Sequence, residues 1–196
     1  MNVYYHYLAT PMGTLLIACR SSGLLGVYYH DQSDCPEPSA HWQQEPEYPL
    51  LNLAVTQLEE YFHGKRRTFN LPLHWTGTLF QQQVWQAMLH IPFATTTPYA
   101  ALAASIGRPR AARAVGAAAA ANPWLLIVPC HRVIGSHGAL VGFGAGIERK
   151  RALLDFEQYL FNQQTEIALA ALASTHHCPS SQAAYGKQRA LNSPQG

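Results

Sequence analysis

The sequence predicts an α/β first part, a small antiparallel sheet with one helix, followed by a mainly α second part that contains a helix-turn-helix. Three observations carry this reading. Residues 3–30 hold three short apolar runs separated by Gly- and Pro-bearing turns. Residues 50–62 carry apolar side chains at helical spacing. Residues 79–121 hold three helical patterns punctuated by Pro92, Gly107 and Pro123.

The elements follow in order. Val3–Leu8, Thr14–Ala18 and Leu24–Tyr29 read as strands, with turns at Thr10-Pro11-Met12-Gly13 and Ser21-Ser22-Gly23. Residues 31–48 are rich in Asp, Gln, Glu and Pro and read as a loop. Leu50–Phe62 is a helix with Leu51, Ala54, Val55, Leu58, Tyr61 and Phe62 on its apolar stripe, ended by Gly64. Thr68–Leu73 reads as a further strand. Thr78 caps a helix from Leu79 to about His90 that Pro92 stops. Pro98–Ile106 and Arg110–Ala121 are two helices joined by the Gly107-Arg108-Pro109 turn, the outline of a helix-turn-helix. The second is rich in alanine. Such a helix either approaches another surface closely or packs tightly inside its own protein, and the pattern alone leaves both open. Trp124–Val128 reads as a short buried strand or extended run, and a Gly-rich stretch from Gly135 to Gly146 precedes a helix over Ile147–Phe161. The expected organisation is therefore a supporting domain over residues 1–77, a functional domain over 78–162, and a poorly ordered tail over 163–196.

Charge is divided along the chain. Residues 1–75 hold four Lys/Arg against seven Asp/Glu, a net −3. Residues 76–162 hold seven against three, a net +4, so the second part is the candidate for meeting a polyanion. The four cysteines form no C-x-x-C pair, which removes a thioredoxin-like site and a four-cysteine zinc site. No signal peptide is visible, and no apolar stretch is long enough for a membrane-spanning helix, so a reducing cytoplasmic setting is expected.

Cys130 is the candidate nucleophile. It follows an apolar run and Pro129, which holds it on a stiff turn, and it precedes His131 and Arg132, either of which can favour a thiolate. Glu157 lies far along the chain but is a candidate to orient His131 in a carboxylate–imidazole–thiol arrangement. A buried, inert cysteine is the competing reading, and the local chemistry leaves the two balanced.

The run Pro129-Cys130-His131-Arg132-Val133 resembles the signature of the methylated-DNA–protein-cysteine methyltransferases, or O6-alkylguanine-DNA alkyltransferases. The likeness extends to Phe80-Gln81-Gln82-Gln83-Val84-Trp85, Arg113-Ala114-Val115-Gly116, Asn122-Pro123, Gly138-Ala139-Leu140 and Leu153-Leu154 through Glu157, and more weakly to Thr10–Gly13. It implies a ribonuclease H-like first domain and a winged-helix-like second one. It implies a DNA repair protein that flips O6-alkylguanine, and also O4-alkylthymine, out of duplex DNA and moves the alkyl group irreversibly to Cys130 in one turnover. His131 would act as base through a water, held by Glu157, and the Tyr99 hydroxyl would assist the leaving guanine. Arg113 would insert where the base has left, on a helix whose small residues, Ala112 and Ala114 among them, let it enter the minor groove beside Arg110. A phosphate contact is the plainer alternative for Arg113. Asn122, Val133, Phe143, Gly144, Ala145 and Trp85 would line the pocket, with Phe143-Gly144-Ala145 closing over the base; for Asn122 a helix C-cap is the alternative.

The resemblance implies double-stranded DNA as partner, with no membrane, no obligate protein partner, a monomer and no cofactor. Some relatives bind zinc near the N-terminus, but Cys19, Cys35, His6 and His30 do not reproduce that ligand pattern, so no metal is expected. His176-His177-Cys178 is too short a cluster to change this. Gly144 and Ala145 leave room in the loop for bulkier alkyl groups. Three other functions compete. A non-catalytic relative would carry Trp in place of Cys130. A transcriptional helix-turn-helix would need polar base-reading side chains where Ala117–Ala121 stand. A cysteine hydrolase would need an oxyanion site and an acyl pocket that the sequence does not display.

Overall fold

In the computed structural model, which describes residues 2–175, four strands form one sheet in the order β3-β2-β1-β4. β1 (Val3–Thr10), β2 (Gly13–Arg20) and β3 (Gly23–Tyr29) are an antiparallel meander. Five consecutive residues of β2, Leu15–Cys19, are fully buried, as a central strand covered on both faces requires. β4 (Trp42–Gln44) pairs parallel with Val3–Tyr5 inside the stretch expected to be only loop. Its three residues are too few to show a period in the sequence, and Trp42 packs against Tyr5 across the sheet edge.

Helix α1 (Pro49–Phe62) lays Leu51, Ala54, Leu58 and Tyr61 on this sheet. The free edge of β3 is covered by two returning segments. The Leu24 N–H donates to Pro72 O, and the Val27 N–H donates to Pro123 O. Each makes only an isolated bridge, at Leu73 and at Trp124, so the strand expected over Thr68–Leu73 does not form, and neither does the strand or extended run expected over Trp124–Val128. The second run curls instead: Leu126 has φ 71°, and the Val128 N–H returns to Trp124 O at 2.9 Å. An apolar run reports burial, and only its neighbours decide whether it is extended.

Helix α2 (Leu79–Leu89) starts with a reciprocal capping box between Thr78 and Gln81. β5 (Thr97–Pro98) leads into α3 (Tyr99–Ser105), and α4 (Ala112–Ala120) follows after a turn. Arg110 therefore lies in that turn, ahead of the helix expected to carry it. The Ala111 N–H closes the turn on Arg108 O, which consumes Pro109 and Arg110 before helical geometry begins. β6 (Val133–Ile134) pairs parallel with β5.

Helix α5 runs Ile147–Thr175, well past the expected end near Phe161. Residues 163–175 are mostly Gln, Glu, Ala, Leu and Thr with no Gly or Pro, so nothing in them stops a helix. One compact unit spans Met1–Phe161, and it contains every candidate site residue. The His176-His177-Cys178 cluster lies outside the described residues. Among the described residues, no helix is long and apolar enough to cross a membrane.

Candidate active site

Cys130 opens a 3₁₀ turn, Cys130–Arg132, at the end of the curled apolar run. Asn122 holds that run in place. Its Nδ2 donates to Val128 O at 2.8 Å and to Cys130 Sγ at 3.1 Å, and its Oδ1 accepts from the Trp124 N–H at 3.0 Å. Ala121 is the C-cap of α4, so Asn122 serves the active-site segment and not the helix end.

The thiol is buried. Burial pushes its pKa up to about 11, against the opposing pull of the Asn122 hydrogen bond and the Lys150 charge. Cys130 is therefore a neutral thiol near pH 7 and needs a base. Cys19, also buried, lacks any such opposing group and is pushed to about 12.

His131 supplies the base. Burial holds its pKa below the ordinary imidazole value, although the hydrogen bond to Glu157 works the other way. Nε2 lies 2.9 Å from Glu157 Oε1. A neutral imidazole beside a carboxylate donates from Nε2, which leaves the lone pair on Nδ1. Nδ1 is buried and has no protein partner among the described residues.

Glu157 is fully buried, yet three residues besides His131 organise it through four donor atoms. Tyr61 donates its hydroxyl to Oε1 at 2.8 Å. The Ala94 N–H donates to Oε2 at 3.0 Å, from a residue at φ 57°. Arg132 donates through Nη2 to Oε1 at 2.8 Å and through Nε to Oε2 at 3.0 Å. Burial alone would raise the carboxyl's pKa; the hydrogen bonds and charge from His131 and Arg132 outweigh it and hold the group well below the usual carboxylate range. A buried carboxylate with this many donors stays ionised and oriented.

Arg132 thus does not act on the thiol as the sequence allowed. Its guanidinium turns away to Glu157 and to Ile91 O at 2.8 Å. The cation facing the thiol is Lys150, which sequence reasoning missed. Its Nζ donates to Val133 O and to Val141 O, at 2.6 and 2.7 Å, and lies over the Tyr99 ring. The signal was available: Lys150, Leu153 and Glu157 fall on one buried stripe of α5, and two charges on such a stripe call for partners.

Tyr99 donates its hydroxyl towards Val141 O and Gly142 O at 3.1 and 3.2 Å, at the base of the loop that contains Phe143, Gly144 and Ala145. In that loop Phe143 and Ala145 are buried and Gly144 is exposed. Val133 is buried behind Cys130. On α4, Arg113 and Ala114 are exposed with Ala117 and Ala120, Ala112 is half-buried, and Val115, Ala118 and Ala119 face the core. The packed-helix reading therefore holds for one side of the helix, and the small residues of the other side are exposed. Trp85 does not join the site. It is a core residue whose Nε1 donates to Ala118 O at 2.7 Å and whose ring meets Trp124 edge-on.

The arrangement matches known proteins along most of the chain. Residues 79–159 match the family model described as the 6-O-methylguanine DNA methyltransferase DNA-binding domain, and residues 3–75 the ribonuclease-like domain of the same name. A methylated-DNA–protein-cysteine methyltransferase of Mycobacterium tuberculosis is 45% identical, covering 80% of this chain and 93% of that one. This chain belongs to the methylated-DNA–protein-cysteine methyltransferase family. A constitutive member from Bacillus subtilis is 42% identical over 82% of this chain and 99% of its own. Among solved structures of the family, the M. tuberculosis O6-methylguanine methyltransferase superposes with a TM-score of 0.73 at 45% identity, covering 80% of this chain and 93% of that chain. A complex of the M. tuberculosis protein with DNA gives 0.73 at 42% identity, covering 82% and 94%. The family's two-part architecture, a ribonuclease-like domain with a small sheet and then a helical DNA-binding domain, is the one described above.

Proposed function

We propose that this methylated-DNA–protein-cysteine methyltransferase repairs O6-alkylguanine in duplex DNA by moving the alkyl group onto Cys130. The observation that carries the assignment to Cys130 is the buried chain Asn122–Cys130 and His131–Glu157, with Nδ1 of His131 free to accept. In the transfer, the Cys130 proton passes through one water to His131 Nδ1. The Sγ electron pair forms an S–C bond to the alkyl carbon as the C–O6 bond breaks, and its electrons return to the guanine. Tyr99 supplies a proton to the leaving base at N3, and the proton held on His131 returns through water to the Tyr99 oxygen, so that the thiol proton ends on the guanine. The reaction balances between protein and DNA alone, and the thioether product has no easy leaving group, so each molecule acts once.

The O6 substituent is buried in stacked duplex, so the nucleotide has to rotate out. In this reading Arg113 and its exposed alanine neighbours on α4 face the minor groove, with Arg110 on the backbone, and Arg113 fills the gap left by the base. Asn122, Val133 and the Phe143–Ala145 loop enclose the flipped base, and O4-alkylthymine enters the same pocket. Residues 1–77 act as support and 78–162 carry the chemistry. A monomer suffices, and a cytoplasmic setting keeps the thiol reduced.

Intact-mass measurement after incubation with a duplex bearing O6-methylguanine, followed by peptide mapping, tests this. The expected result is one methyl group per molecule, confined to Cys130 and absent in Cys130→Ala. Tight binding with no mass gain would leave a recognition protein in its place.

A further inference from the structure

The Thr10–Gly13 turn, the weakest of the family-like segments, has no part in the alkyl transfer, yet it meets the functional domain through Arg149. Arg149 sits in the first turn of α5, just after the Phe143–Ala145 loop. Its Nε donates to Met12 O, its Nη1 to Ala145 O and its Nη2 to Asp31 Oδ2, each at 2.9 Å. The guanidinium lies 4.0 Å above the ring of fully buried Tyr29. The turn is shaped to admit it. The Thr10 hydroxyl bonds Gly13 O and accepts from the Met12 N–H. Gly13 has φ +118°, and a Cβ there would stand 3.2 Å from Arg149 Nη2.

We propose that Arg149 is a positioning residue, a latch by which the first domain sets the loop that covers the flipped base. This rests on the Phe143–Ala145 loop playing that part. Two strand turns of the sheet, at Met12 and at Asp31, hold a planar fork whose third tooth carries Ala145 O. Lysine offers one point charge and cannot span these three acceptors while stacking on Tyr29. Gly144 lies against the same first-domain segment, since a Cβ on it would stand 3.8 Å from the Asp34 carboxylate.

The test compares wild type, Arg149→Met, Arg149→Lys and Asp31→Ala. Single-turnover transfer is followed against duplex concentration to separate affinity from limiting rate, and amide exchange is followed over residues 142–146. Arg149→Met should lower the limiting rate by about tenfold and speed exchange of the loop, with duplex affinity within about twofold of wild type. Arg149→Lys should recover only part. Asp31 is exposed, so Asp31→Ala keeps the fold, and it should move both readouts in the same direction by about twofold should Arg149→Met fail to fold. Unchanged loop exchange in Arg149→Met, or in Asp31→Ala where that variant stands in, overturns the latch, as does a rate loss that comes entirely from weaker DNA binding. Absence of alkylation in the wild type would instead reject the functional reading, and loop exchange would still decide the latch.

Discussion

The Tyr61 hydroxyl donates a 2.8 Å hydrogen bond to Oε1 of Glu157, so a residue of the first domain's helix holds the carboxylate that orients His131. Both side chains are fully buried. Tyr61→Phe keeps the ring packing against Phe69 and Phe156 and removes only the donor. It should cost about 1.5–3 kcal/mol, the range for a buried hydrogen bond to a charged group. Urea unfolding with an unchanged m-value checks this, and a loss below about 0.5 kcal/mol would show that the other donors compensate.

Acid should destabilise the protein in two steps of the same sign. Glu157 has a folded pKa below its unfolded value of about 4.3, so its contribution is present above that pH and is lost as pH falls through the folded value. His131 also has a depressed folded pKa, so the unfolded chain takes up protons first as pH drops below about 6.5. Stability should therefore fall monotonically from pH 7 downward. Glu157→Gln should flatten the lower part of the curve while lowering stability at pH 7; an unchanged acid limb would contradict the assignment.

The resting thiol should behave as a poor nucleophile. With its pKa near 11, alkylation of Cys130 by iodoacetamide should be slow at pH 7 and rise towards pH 11, measured by peptide mapping against Cys35. Lys150→Met and Asn122→Ala should move that midpoint still higher, because each removes a group that favours the thiolate. A midpoint near 7 in the free protein would mean that the thiol is already activated without DNA.

Arg113→Ala should slow transfer from duplex DNA by about tenfold or more while leaving reaction with free O6-benzylguanine near wild type, because the free base needs no extrusion. Equal losses on both substrates would assign Arg113 to the pocket or to stability. A change confined to the salt dependence of binding, by about one unit of slope, would make it a phosphate contact.

Gly144 is exposed, and a Cβ there makes only ordinary contacts, at 3.8 Å or more. Gly144→Trp should therefore fold and should reduce benzyl transfer more than methyl transfer. An unchanged ratio of the two rates would remove the idea that this glycine admits bulky groups.

The sequence by itself determined the three-strand meander, the positions of the helices and the Thr78 cap, and it set His131 and Arg132 directly after Cys130. Each is written in local periodicity, in cap and turn chemistry, or in a contiguous run of residues. Only the tertiary structure decided where the charges around that segment point. Arg132 adjoins His131 in the chain but serves Glu157, whereas Lys150, twenty residues beyond Cys130, acts on the thiol. Tyr61, Ala94 and Arg149 reach their partners across 96, 63 and 137 residues of chain, separations that no sequence period spans. The same reason removed Trp85 from the pocket: an aromatic on a helical stripe is buried in either case, and which neighbour fills its face is set by packing.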